Sequence, residues 1–180
     1  MGEIEIARTE FTLWLTPAEP LRSALRSIIG LLAATLDAVE FEPHVTVFCG
    51  PSTEAAARGL VQKIASRTSP VVLTADRLDQ TEIFTKTLFV QFHESAPLRR
   101  MFETVKASSP PSDYVLNPHL SLLYRKLTAV KRQELCETLA VPTGAYSFDR
   151  VRMVETELPI EDDGPVRRWR VVGDEALVGV

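Results

Sequence analysis

Three histidines occur in the 180-residue chain, and two of them stand in nearly the same setting: Pro43-His44-Val45-Thr46-Val47 and Pro118-His119-Leu120-Ser121-Leu122. Side chains alternate across a β-strand, so His44 and Thr46 share one face while Val45 and Val47 take the other; His119 and Ser121 do the same against Leu120 and Leu122. Each copy therefore offers an imidazole beside a hydroxyl. Such a set suits the opening of a cyclic phosphate by water. A neutral imidazole takes a proton from the attacking water, and a protonated one gives a proton to the departing ribose oxygen. Histidine's ordinary pKa of about 6.5 keeps both forms accessible near neutral pH. Thr46 and Ser121 can donate hydrogen bonds to the non-bridging phosphoryl oxygens, where charge is held in the transition state. A lone histidine on a strand is more often a packed or surface residue, and it is the second, matching copy that argues for chemistry. His93 has no such company and reads as a solvated residue at a strand end.

A metal site is not expected around either motif, because the neighbours are hydroxyls and no carboxylate or second histidine stands at ligand spacing. Glu161-Asp162-Asp163-Gly164 lacks the alternating acids of a calcium loop and reads as a solvated turn. Neither G-x-x-x-x-G-K-[ST] nor G-x-G-x-x-G occurs, so no nucleoside triphosphate or dinucleotide cofactor is expected. Cys49 and Cys136 show no metal-type spacing and are too few for a disulfide scaffold.

The elements that must position these groups come twice. Residues 11–15 read as a strand. Thr16-Pro17-Ala18-Glu19 reads as a helix start, followed by Leu21, Leu25, Ile28, Ile29, Leu32 and Leu36 on one face. His44–Cys49 reads as a strand, Ser52-Thr53-Glu54 opens a helix, and Val71–Leu78 is again a strand. In the second copy Thr81–Phe92 reads as a strand, Ser95-Ala96-Pro97 starts a helix, His119–Tyr124 is a strand, and a helix follows Thr128. Tyr146–Glu155 and Val166–Val172 read as strands joined by a turn. His44 and His119 are 75 residues apart, as are Thr53 and Thr128, and Trp14 and Phe89 each precede their histidine by 30. One β-α-β-α-β unit is thus used twice, at approximately residues 10–78 and 81–156, with a closing strand at 166–172. The expected fold is α+β and bilobal: two lobes related by a pseudo-twofold axis, each with an antiparallel sheet and outer helices, with the active cleft between them in a single domain of 180 residues.

Composition sets further bounds. With 45% hydrophobic residues the chain can bury a core, and a net charge of −4 disfavours a protein that coats the phosphates of long nucleic acids. A small anionic substrate stays compatible, since a local site can be positive on an acidic protein. The stretch Met1–Ile6 lacks a basic start and an apolar run, and no run approaches the roughly 18 residues that span a bilayer. The expectation is a cytoplasmic monomer with no membrane partner.

The pair Pro43-His44-Val-Thr-Val and Pro118-His119-Leu-Ser-Leu-Leu-Tyr124 resembles the two-histidine (2H) phosphoesterase superfamily, whose signature is two H-x-[ST]-hydrophobic motifs. Within it the chain is similar to the plant and yeast cyclic phosphodiesterase branch. Phe11-Thr-Leu-Trp14-Leu-Thr-Pro17 looks like the opening strand, Phe41-Glu-Pro-His44 like the entry to the first motif, and the strand with Trp169 like the closing one. The resemblance implies a central cleft lined by His44, Thr46, His119 and Ser121. It also implies hydrolysis of ADP-ribose 1″,2″-cyclic phosphate to ADP-ribose 1″-phosphate and of nucleoside 2′,3′-cyclic phosphates to 2′-phosphates, a place in RNA processing, and no cofactor. Aromatic side chains that hold the nucleoside in that branch nominate Trp14, Phe84 and Tyr124 here. By strict alternation Tyr124 has the opposite parity from His119. Lys86 shares a strand face with Phe84 and would be useful beside a phosphate, although a snorkelling surface lysine is the rival reading. Two alternatives stay open: a phosphoesterase of RNA ends or 2′,5′-linked oligonucleotides with the same site, for which RNA is a partner, and a non-catalytic nucleotide- or RNA-binding module.

Overall fold

The computed structural model describes residues 8–179; Met1–Ile6, the stretch read for a leader, lies outside the described residues. In chain order the elements are β1 (Arg8–Pro17), α1 (Leu21–Leu36), β2 (Val45–Gly50), α2 (Glu54–Ala65), β3 (Val71–Gln80), a 3-10 turn (Phe84–Lys86) and β4 (Leu88–Phe92). They continue with α3 (Ala96–Ser108), β5 (His119–Leu123), α4 (Ala129–Thr138), β6 (Ala145–Leu158), α5 (Asp163–Arg167) and β7 (Arg170–Ala176). Thr53, Ser95 and Thr128 cap α2, α3 and α4 by accepting a backbone N–H in the first turn, as their residue types dictate.

The structure differs from the sequence reading at four points, three element boundaries and the sheet arrangement. Pro17 still pairs with Phe148 as the last residue of β1, and α1 begins only after Pro20, so the helix signal at Thr16 belongs to the strand end. The expected strand from Thr81 is broken. Thr81 turns the chain, its hydroxyl donating to the Lys86 carbonyl, and Phe84 and Lys86 sit in the 3-10 turn rather than on a strand face. Asp162 caps the one-turn helix α5 instead of closing a plain turn, and Val166 lies in that helix, so β7 starts at Arg170. The fourth concerns the sheets. In place of one sheet per lobe there is a single seven-stranded antiparallel sheet in the order β1-β2-β5-β4-β3-β6-β7, closed into a ring because β1 also pairs with β6.

Within that ring the halves correspond in register. Leu13 pairs with Phe48 as Leu88 pairs with Leu123, Trp14 with Thr46 as Phe89 with Ser121, and Leu15 with Val45 as Val90 with Leu120. Both ladders skip one residue at the same place, so Val47 and Leu122 are each the extra residue of a β-bulge. Correspondence weakens in the third strand. Leu15 pairs with Val151 and its counterpart Val90 with Leu78, positions 73 apart, so β6 is slipped two residues from the 75-residue spacing without changing face.

Val45, Val47, Leu120 and Leu122, all fully buried, form one core with Leu25 and Ile29 of α1, Val61 of α2, and Leu98 and Phe102 of α3. At about 25 cal/mol per Å² of apolar surface this side of the sheet supplies the main stabilising term. The opposite side of the same strands is left for His44, Thr46, His119 and Ser121.

Candidate active site

Antiparallel strands β2 and β5 meet at a single pair, Val45 with Leu120. One residue to either side, this register sets His44 beside Ser121 and Thr46 beside His119, so each imidazole faces the hydroxyl of the other half. All four line one cavity of about 200 Å³, together with Trp14 and Tyr124.

Each histidine is held the same way. His44 Nδ1 lies 2.6 Å from the carbonyl of Glu42, and His119 Nδ1 lies 2.7 Å from the carbonyl of Asn117. A carbonyl can only accept, so in the neutral ring Nδ1 carries the proton and Nε2 is left as the basic atom. Burial pushes both imidazoles down to about 4. For His44 the neighbouring His119 and Arg152 add to that effect and the Glu42 carbonyl opposes it; for His119 the added cation is Lys86, against the Asn117 carbonyl. Both are therefore neutral at pH 7 in the ligand-free protein. An anion between them favours the charged ring, so a bound phosphate raises a histidine back toward the range of a proton donor.

The surroundings of the two rings differ. His44 stacks flat on Trp14, with centroids 3.7 Å apart at 13°, and meets the edges of Trp169 and Phe41. Among the described aromatic side chains His119 meets the edge of Phe89, with ring centroids 5.5 Å apart. Ser121 Oγ donates to the Thr85 carbonyl at 2.7 Å, so its hydrogen must turn from that carbonyl to serve a phosphoryl oxygen. Thr46 lines the cavity, and its backbone carbonyl accepts from the Tyr114 hydroxyl at 3.0 Å.

The four substrate-contact nominations separate. Trp14 lines the cavity, although its flat face is already taken by His44. Tyr124 also lines it, stacked on Phe41 at 3.8 Å. The bulge at Leu122 is the reason: it restarts the alternation, so Tyr124 returns to the side of Ser121, as Cys49 returns to the side of Thr46 after the bulge at Val47. Strict alternation therefore fails for Tyr124. Phe84 is instead packed with Val39, Tyr124 and Val166 in a small apolar cluster outside the cavity lining. Lys86 also lies outside it, its Nζ 4.3 Å from the centre of the Phe89 ring, with its pKa lowered by burial. Its charge reaches the site through His119. His93 is exposed and 3.6 Å from Asp76.

Sequence reasoning assigned no role to Thr12, Cys49, Thr85, Tyr114 or Thr156, all of which line the cavity. Thr12 stands opposite Cys49, and its hydroxyl lies 3.3 Å from that sulfur and 3.1 Å from Thr156 Oγ. Burial pushes the Cys49 thiol up to about 12, so it sits there as a neutral S–H that donates to Glu10. The spacing of Thr12 and Trp14 on one strand face was the available signal for Thr12; the re-phasing of Cys49 had none. Among the described residues no group of three or more His, Cys, Asp or Glu side chains is arranged to hold a metal.

Comparison with known proteins follows the same lines. The family model of the 2′-5′ RNA ligase superfamily matches residues 43–159. A cyclic phosphodiesterase of Arabidopsis thaliana is 24% identical over 177 residues, covering 93% of this chain and 95% of that relative. Among solved structures, TT0787 of Thermus thermophilus superposes with a TM-score of 0.60 at 20% identity, and E. coli LigT complexed with 3′-AMP with 0.58 at 14%. Each alignment covers 94% of this chain and 98% of the other, and both show a shared fold.

Proposed function

The chain belongs to the 2′-5′ RNA ligase superfamily, the two-histidine phosphoesterases, and on that premise we propose that it is a metal-independent cyclic phosphodiesterase of ribose cyclic phosphates. Its substrates are ADP-ribose 1″,2″-cyclic phosphate, opened to ADP-ribose 1″-phosphate, and nucleoside 2′,3′-cyclic phosphates, opened to 2′-phosphates. The observation that carries this reading is the pair of carbonyl-anchored histidines, each beside the other half's hydroxyl, in one cavity. The name of the Arabidopsis relative points the same way.

In the proposed reaction the two imidazoles divide the proton transfers between them. The cyclic phosphate sits between the two Nε2 atoms. One imidazole takes a proton as water attacks phosphorus, and the other, protonated under the influence of the phosphate's own charge, hands a proton to the ribose oxygen as the P–O bond breaks. Thr46 and Ser121 donate to the non-bridging oxygens, which carry the growing charge. Tyr124 offers an aromatic edge for the nucleoside, its own hydroxyl kept protonated by burial.

A substrate panel tests the assignment: ADP-ribose 1″,2″-cyclic phosphate, a 2′,3′-cyclic mononucleotide and an RNA oligomer with a 2′,3′-cyclic end. Hydrolysis of both small compounds to the named products, with weak dependence on salt, is the expected result. Turnover confined to the oligomer, weakened steeply by salt, would move the protein to RNA ends. Binding without turnover would make it a nucleotide-binding module.

A further inference from the structure

The residue two before each histidine supplies the carbonyl that fixes its ring, and those two residues, Glu42 and Asn117, are themselves 75 positions apart. Each is tied down, by different chemistry. Asn117 is held neutrally: the side-chain amide of Gln91 donates to Asn117 Oδ1 at 3.1 Å and to the Pro118 carbonyl at 2.8 Å. Glu42 is held by charge. Its carboxylate accepts from Arg22 Nε of α1 at 2.5 Å and lies 3.8 Å from Arg152 Nη1 of β6 and from Arg26 Nε. Arg152 is fixed in turn by Asp174 of β7 at 3.0 Å, and Arg150 shares that carboxylate. The side chains of Glu42 and Arg152 are only 18% and 14% exposed, so solvent screens this pair far less than a surface one. Arg152 also stands directly opposite Trp14, the residue on which His44 stacks.

We propose that Glu42 and Arg152 are the positioning residues of His44: an ionic clamp joining α1, the entry to β2, β6 and β7 that holds the Glu42 carbonyl on Nδ1 and keeps Nε2 toward the cavity. The halves of the molecule thus carry one histidine on an ionic clamp and the other on an amide clamp. The two members act on His44 with opposite signs. Arg152 is a cation near the ring and disfavours the imidazolium, whereas the Glu42 carboxylate partly cancels that field. The other charged groups around the ring are His119 from β5, Arg22 and Arg26 from α1 behind Glu42, and Asp174 behind Arg152.

This signature separates positioning from mere packing, since loosening the structure would wet the ring and raise its pKa whichever residue was changed. The measurement is an NMR titration of the imidazoles, of which the chain has only three, in wild type, Arg152→Gln, Arg152→Lys and Glu42→Gln. In Arg152→Gln the His44 pKa is expected to rise by about one pH unit while His119 stays put, and Arg152→Lys is expected to restore it. In Glu42→Gln the His44 pKa is expected not to rise, while kcat falls by about ten-fold with KM little changed. A rise in His44 in both Gln variants, an equal rise in His119, or an unaltered kcat in Glu42→Gln would overturn the clamp. The kcat arm rests on the proposed phosphodiesterase reading; the titration does not, and it decides the clamp even if the wild type turns nothing over.

Discussion

A buried imidazole gains nothing from water when it is charged, and His44 and His119 both titrate near 4 against an ordinary value of about 6.5. Unfolding returns them to the ordinary value. Between about pH 6.5 and 4 the unfolded chain therefore binds protons that the native protein refuses, and stability falls as pH falls through that window, by roughly 1.4 kcal/mol per pH unit for each histidine. Above pH 6.5 their contribution is fully present. Urea unfolding from pH 7.5 down to 4.5 checks this: the account predicts that His119→Asn flattens the decline, and an unchanged slope would mean that the ring is not held neutral. At this scale much was legible, because two H-x-[ST] motifs at a fixed spacing announce themselves. What holds the rings was not legible. A backbone carbonyl has no letter of its own, and neither Glu42 nor Asn117 differs from any surface residue until the fold brings Arg152 or Gln91 against it.

Strand phase decides which side chains reach the site, and phase is where the sequence reading was weakest. The bulges at Val47 and Leu122 turn Cys49 and Tyr124 toward the cavity against the count of alternation, because one extra residue shifts every later side chain to the other face. The run from Thr81 read as strand through its β-branched and aromatic residues, yet the Thr81 and Thr87 hydroxyls bond backbone carbonyls within that stretch and favour a turn. Helices fared better where a side chain caps the first turn: in α3 Ser95 marks the start and Leu98, Met101, Phe102 and Val105 the buried face, whereas α1, without such a cap, starts at Leu21 and not at Thr16. Another element-level constraint is Gly173 of β7, which faces α2. A Cβ there would lie 2.5 Å from Val61 Cγ1, and Val61 is a stiff, buried, β-branched residue that cannot swing aside. Gly173→Ala is expected to cost about 1–3 kcal/mol in chemical denaturation by forcing α2 off the sheet; unchanged or increased stability would show that α2 is not seated so closely.

Across the whole molecule, two similar halves close one ring of strands, with helices packed on the face that carries Val45, Val47, Leu120 and Leu122 and the paired histidines and hydroxyls on the other. The duplication was readable from spacing alone. That the halves share one sheet was not, since it depends on pairings between the two units, β2 with β5 at one residue pair and β3 with β4 and β6, with β1 on β6 closing the ring. The slip of β6 by two residues, together with Trp14 under His44 and Phe89 beside His119, makes the two sides of the site unequal despite their common plan. A net charge of −4 disfavours long nucleic acids, whose binding draws on accumulated Lys and Arg, and is compatible with the small nucleotide proposed as substrate. The central claim is that His44 and His119 together open a ribose cyclic phosphate without a metal. Hydrolysis of a 2′,3′-cyclic mononucleotide in excess chelator, compared among wild type, His44→Ala and His119→Ala, tests it most directly. The account predicts that wild-type turnover survives the chelator and that each variant, shown by circular dichroism to be folded, loses at least about 100-fold in kcat. Turnover abolished by the chelator, or full activity in either single variant, would contradict it.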